Sequence, residues 1–132
     1  TAGLRDVDPM EQHLLDKARI ENITVDDIRG LTQNVYDQMD ALSKVSDKIY
    51  VHIDLDILDE SEMPYHNYPT ENGPTSYELA AMFKDIFQKY PKAAAIGFAS
   101  IPAKDPDNIG LNALNRMTKA AVEDIMIREG KM

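Results

Sequence analysis

The run Ile49-Tyr50-Val51-His52-Ile53-Asp54-Leu55-Asp56-Ile57-Leu58 constrains the fold more than any other stretch of the chain. Successive residues of a strand point to opposite faces. Ile49, Val51, Ile53, Leu55 and Ile57 therefore share one face, and His52, Asp54 and Asp56 share the other. An apolar face this regular fixes the register and must be buried against a second layer. The rest of the sequence supplies that layer as helices. Leu31, Val35, Met39, Leu42 and Val45 recur at three- and four-residue steps and predict an amphipathic helix over 31–45. Thr75 and Glu78 form a capping box opening a helix to about Tyr90, with Leu79, Met82, Phe83, Ile86 and Phe87 as its buried stripe and Pro91 as its stop. A final helix, about Leu111 to Arg128, turns Leu114, Met117, Ala121, Val122 and Ile125 inward.

The remaining elements fit the same scheme. Asp6-Val7-Asp8-Pro9 is a turn-forming cluster in which Pro9 suits the first helical position, and Met10 to Ala18 has helical spacing. Ile20 to Val25 reads as a short β-like piece, after which Thr24 caps a turn containing Asp26 and Asp27. Ala93 to Ser100 reads as a small-residue strand from the middle of a sheet covered on both faces. Loops occupy 59–74 and 101–110. Strands alternating with helices predict an α/β fold, three-layer α/β/α with a mostly parallel sheet. Three or four strands make a small sheet for that class, as half of a larger one would. Residues 1–132 are accordingly expected to be a single α/β domain or the C-terminal part of one. The opening Thr1-Ala2-Gly3-Leu4-Arg5 reads as though entered partway through a structured element.

Composition narrows the functional classes. The chain has 132 residues, a formal net charge of −9 and no cysteine. Such acidity excludes a nucleic-acid footprint or an anionic membrane surface, which need clustered Lys and Arg. The lack of cysteine excludes disulfides, thiolate metal sites and thiol nucleophiles, and it fits a reducing, cytoplasmic setting. The longest strongly apolar stretch, Ala93 to Ala99, falls far short of the roughly 20 residues that span a bilayer.

Chemistry concentrates at the end of the 49–58 strand, since ligands of open parallel sheets bind beyond the carboxyl ends of the strands. Same-face neighbours there lie about 6.6 Å apart, so Asp54 and Asp56 can grip one divalent ion or bracket two. His52 and Asp56 are too far apart to share one. Carboxylates with imidazole suit Mn²⁺ or Zn²⁺, and a cation relieves the repulsion of two adjacent acids. The plainer alternative is a pair of solvated carboxylates capping nearby backbone. An aspartyl phosphatase would want a small or hydroxyl residue soon after the second Asp, where Ile57 and Leu58 stand. A nucleotide-sugar transferase would want a basic or glycine-rich phosphate site, and none is evident. Ser76 and Ser100 lack any nearby histidine pattern. His13 is expected on a helix surface and His66 in the loop after the strand. The seven Met residues sit mostly at core spacing.

Gly3-Leu4-Arg5-Asp6-Val7-Asp8-Pro9 followed by Glu11 resembles the arginase version of the ureohydrolase family. Val51 to Asp59 resembles that family's second metal motif, S-x-D-x-D-x-x-D-P, and Pro69 to Gly73 resembles its Pro/Gly-rich loop. The order and spacing match over nearly the whole chain. The resemblance implies the C-terminal half of a three-layer α/β/α fold and a pair of Mn²⁺ ions at the sheet edge. There they make water nucleophilic toward a guanidinium carbon, as in hydrolysis of L-arginine to urea and ornithine. Residue by residue, it implies Asp54 and Asp56 as metal ligands and Asp8 as holder of the substrate α-amino group, with Glu11 close by and Asp6 supporting the loop. It assigns no catalytic acid or base within the chain.

The sequence also departs from the family pattern. His52 replaces a small hydroxyl residue, Glu60 replaces a Pro, and Tyr68 stands where Thr is usual. The family's upstream His and D-x-H-x-D ligands have no counterpart here, and Phe98 to Lys104 carries no carboxylate where the family's guanidinium-orienting Glu should follow. The expected partners are a small guanidino substrate and either further copies of the chain, as a homo-oligomer, or a complementary chain supplying the missing ligands. A catalytically inactive domain kept for subunit association is the alternative expectation.

Overall fold

A computed structural model describes residues 1–131. Its helices are α1 (Pro9–Ala18), α2 (Val25–Gly30), α3 (Gln33–Val45), α4 (Ser76–Lys89) and α5 (Ile109–Arg128). Strands β1 (Ile49–Asp54) and β2 (Ala93–Ala99) pair in parallel, joined by a crossover through α4, and a 3₁₀ turn (Leu55–Ile57) follows β1. The expected α/β class with a parallel sheet is what the chain forms. Among the described residues that sheet has two strands, plus isolated bridges Ala2–Ile23 and Asp59–Thr70. The β-like piece at 20–25 thus shrinks to one bridge.

Burial follows the alternation of β1. Ile49 and Ile53 are buried while Tyr50, His52 and Asp54 are exposed. The apolar residues join one core cluster with Val35 and Met39 of α3, Leu79, Phe83 and Phe87 of α4, and Met117 and Ala121 of α5. All five residues expected on the inner stripe of α4 are buried. Fully burying a Phe such as Phe83 contributes roughly 1.5–3 kcal/mol, and α4 buries Phe83 and Phe87 together. The Thr75–Glu78 capping box forms as expected, Glu78 N–H donating to Thr75 Oγ1 at 3.2 Å and Thr75 N–H to Glu78 Oε2 at 2.7 Å. Tyr90 closes the other end of α4 by donating its hydroxyl to Asp40 Oδ1 of α3 at 2.9 Å. Burial, then that bond, pushes the Tyr90 phenol up to about 12.

Three local expectations need correction. The apolar stripe of α3 is buried only as far as Met39. Leu42 and Val45 are 46% and 83% exposed, because no described element packs beyond the free edge of β1. β2 is not covered along its whole length: Ala94 and Ala95 are exposed, and no third strand is present among the described residues. In α5 the buried row is Ala113, Met117 and Ala121, and Val122 is left 38% exposed.

The α2–α3 corner depends on one carboxylate. Asp27 Oδ2 accepts from Thr24 N–H at 2.9 Å, Thr24 Oγ1 at 2.8 Å and Asn34 Nδ2 at 3.0 Å, and Oδ1 accepts from the Thr32 hydroxyl. These bonds, led by Thr32 and Asn34, hold the Asp27 carboxyl well below the usual carboxylate range. A depressed folded-state pKa contributes stability that is fully present above the unfolded value near pH ~4 and is lost as pH falls through the folded value. Urea melts from pH 7 to pH 2 should therefore show Asp27→Asn less stable than the parent at neutral pH. The difference should narrow below pH 4, and a constant difference would contradict this role.

Candidate functional site

Asp54 is the last residue of β1, and its Oδ1 accepts from Asp56 N–H at 3.4 Å. This side-chain turn is the local alternative to continued strand that Asp favours. It corrects the expected strand: alternation holds to Asp54, and Leu55–Ile57 then turn as a 3₁₀ helix, so Asp56 is placed by a turn rather than by the pleat. Both carboxylates nevertheless line one cleft. Partial loss of hydration, then the neighbouring Asp54 charge, raises the Asp56 carboxyl above its ordinary value, while His66 and Arg5 work in the opposite direction.

The cleft encloses about 820 Å³ along the free edge of β1. Its polar wall includes Asp6, Glu11, His52, Asp54 and Asp56, and Met39 and Leu42 contribute to its apolar wall. Segment 3–8 closes it at one end. Gly3, at φ 73°, lies so close to Ile57 that a Cβ there would sit 2.6 Å from Ile57 Cδ1. Arg5 reaches from this segment to the turn, donating to the carbonyls of Ile57 at 2.7 Å and Asp56 at 2.9 Å.

The other sequence candidates are placed as follows. Asp8 is the N-cap of α1: its Oδ1 accepts from Met10 N–H at 2.7 Å and Glu11 N–H at 3.0 Å, and Glu11 Oε2 accepts from Asp8 N–H at 3.4 Å. Glu11 lines the cleft, as does Asp6, which the sequence reading put in a supporting role. His13 is exposed on α1. His66 Nδ1 accepts from Tyr68 N–H at 3.1 Å, and His52 Nδ1 lies 3.2 Å from Tyr50 Oη. The sequence reading quoted Arg5 inside a motif but gave it no role. The only sequence signal for it is an Arg, with five donors and no acceptor, next to a Gly-containing acidic segment.

As a cation site, the pair offers two hard oxygen donors at the end of a parallel strand, with one carboxyl already raised by the other's charge. That donor chemistry fits Mn²⁺ or Mg²⁺. No cluster of three or more His, Cys, Asp or Glu able to hold a metal occurs among the described residues. By themselves Asp54 and Asp56 are two oxygen donors, fewer than a complete ligand set needs.

Comparison with known proteins agrees with the geometry. The sequence model of the Arginase family matches residues 1–121. Among curated proteins, none matches the chain by sequence. Formimidoylglutamase from Bacillus subtilis superposes with a TM-score of 0.83 at 22% identity, covering 94% of this chain and 40% of that one. Helicobacter pylori arginase gives 0.81 at 20% identity, covering 93% and 42%. Bacillus caldovelox arginase gives 0.79 at 20% identity, covering 91% and 41%. This chain therefore spans less than half the length of these solved structures, and the likeness is one of fold.

The loop beneath the carboxylates has almost no spare room. A Cβ on Gly73 would lie 2.5 Å from both Asp59 N and Ile57 O, which are backbone atoms. Gly73→Ala should destabilise the protein by about 1–3 kcal/mol, as overpacking does. A urea midpoint unchanged from the parent would contradict so close an approach.

Proposed function

The chain belongs to the arginase family, and from that premise we propose that it forms the C-terminal portion of a binuclear manganese ureohydrolase acting on a guanidino substrate such as L-arginine. One observation carries this reading: Asp54 and Asp56 leave the end of β1 into the same cleft as Asp6 and Glu11. In this proposal Asp54 and Asp56 hold Mn²⁺, and the remaining ligands come from outside residues 1–132. When bound, such an ion lowers the pKa of water toward neutrality and stabilises negative charge that develops in the reaction.

The chain's own residues supply part of the substrate site in this proposal. Asp6 and Glu11 give the cleft a negative wall that draws in and orients a guanidinium. Asp8 has one carboxylate oxygen committed to capping α1; the other is the proposed acceptor for the substrate α-ammonium group. Because a formimidoylglutamase shares this fold as the arginases do, the proposal is stated for a guanidino substrate and not for L-arginine alone. The free edge of β1 and the exposed Leu42 beside it are the proposed seat of the rest of the active site, from a further segment or a complementary chain. The assembly is proposed to be a cytoplasmic homo-oligomer. No helix of the described residues is long and apolar enough to cross a membrane.

Mn²⁺ binding tests this directly. In the protein isolated with every segment and subunit that accompanies it, Asp54→Asn or Asp56→Asn should weaken Mn²⁺ binding by at least about tenfold and abolish urea release from L-arginine. Free Mn²⁺ is followed by its electron paramagnetic resonance signal. Unchanged Mn²⁺ binding in both variants would overturn the assignment.

A further inference from the structure

One side chain connects the two walls of the cleft. Arg5 Nη1 donates to Ile57 O at 2.7 Å and to Gly3 O at 3.4 Å. Its Nη2 donates to Asp56 O at 2.9 Å, Thr70 O at 3.3 Å and Leu58 O at 3.4 Å. The guanidinium thus holds three consecutive carbonyls of the carboxylate-bearing turn, together with the returning loop at Thr70. Among the described residues, every hydrogen bond from segment 1–8 to the end of β1 comes from Arg5. The same segment carries Asp6 and Asp8, and Glu11 follows on α1.

A planar fork with donors at fixed angles can do this, and an ammonium cannot: Lys presents a point charge on a flexible stem. Burial lowers the pKa of Arg5, while the Asp56 and Asp59 charges oppose that shift. Arg5 keeps its charge across the physiological range in any case. It therefore places a fixed positive charge beside the turn, within the lining of the cleft, and uses it to hold backbone rather than to neutralise a carboxylate.

We infer that Arg5 is a positioning residue for the metal-ligating pair: by holding the carbonyls of residues 56–58, it sets the spacing of Asp54 and Asp56 and their distance from the Asp6–Glu11 wall. This rests on the reading of Asp54 and Asp56 as Mn²⁺ ligands. Groups that orient metal ligands typically matter by about 10- to 100-fold in metal affinity. The geometric claim is that the fork, not the charge, is needed.

The test uses Arg5→Lys and Arg5→Gln in the protein with all its accompanying segments and subunits. Mn²⁺ affinity is read by electron paramagnetic resonance, and folding by circular dichroism and thermal melting. The expected result is that Arg5→Lys keeps the parent's secondary structure yet binds Mn²⁺ at least about tenfold more weakly, with Arg5→Gln no better. Parent-like affinity in Arg5→Lys, with Asp54→Asn still losing the metal, would overturn the positioning role and leave the ligand assignment standing. Loss of fold in both Arg5 variants would overturn it too, because the residue would then support the chain as a whole. No Mn²⁺ binding by the parent would remove the ligand assignment itself.

Discussion

Burial of Ile49 and Ile53 is the constraint on which the molecule depends. Both belong to the cluster built by Phe83 and Phe87 of α4 and Met39 of α3. Because strand side chains alternate, driving these two residues inward leaves no freedom for their neighbours. Tyr50, His52 and Asp54 must face out, and a one-residue slip would bury His52 and Asp54 without partners. The hydrophobic effect thus fixes where the first carboxylate goes, and a side-chain turn at Asp54 fixes where the second follows.

Electrostatics then differentiates the acids. Asp27 and Asp59 are supplied with donors, Asp59 by the side chain and then the backbone of Ser61, and both carboxyls are held below the ordinary range. Asp56 lacks such donors, loses hydration and faces Asp54, so its carboxyl is raised. Acids that the fold satisfies internally serve structure. A pair left in mutual repulsion beside a cleft is the kind of site that a cation completes. The acids of this chain are therefore not alike: the Asp56 carboxyl is raised where those of Asp27 and Asp59 are lowered.

Much of this was readable in the sequence because the relevant signals are local. The Thr75–Glu78 capping box, the Leu79–Phe87 stripe and the β1 alternation each depend on residues a few positions apart, and all three form. Apart from the local turn at Asp54, the departures from the structure have long-range causes. Nothing within 31–45 says that Leu42 and Val45 have no partner, and nothing within 93–100 says that Ala94 and Ala95 stay exposed, because both depend on what lies beside the sheet. The family-like motifs located the carboxylates, yet the role of Arg5 spans 51 to 65 residues of chain and has no periodicity to betray it. Asp8, which the resemblance gives to a substrate, is in the fold also the cap of α1 through one of its two carboxylate oxygens.

A metal site at the end of β1 can be seen in an anomalous-difference map from crystals of the protein, with all its accompanying segments, grown with Mn²⁺ and measured near the manganese absorption edge. Anomalous density is expected within coordination distance, about 2.0–2.3 Å, of carboxylate oxygens of Asp54 and Asp56. Strong manganese peaks elsewhere in the protein, with none between these two residues, would contradict it.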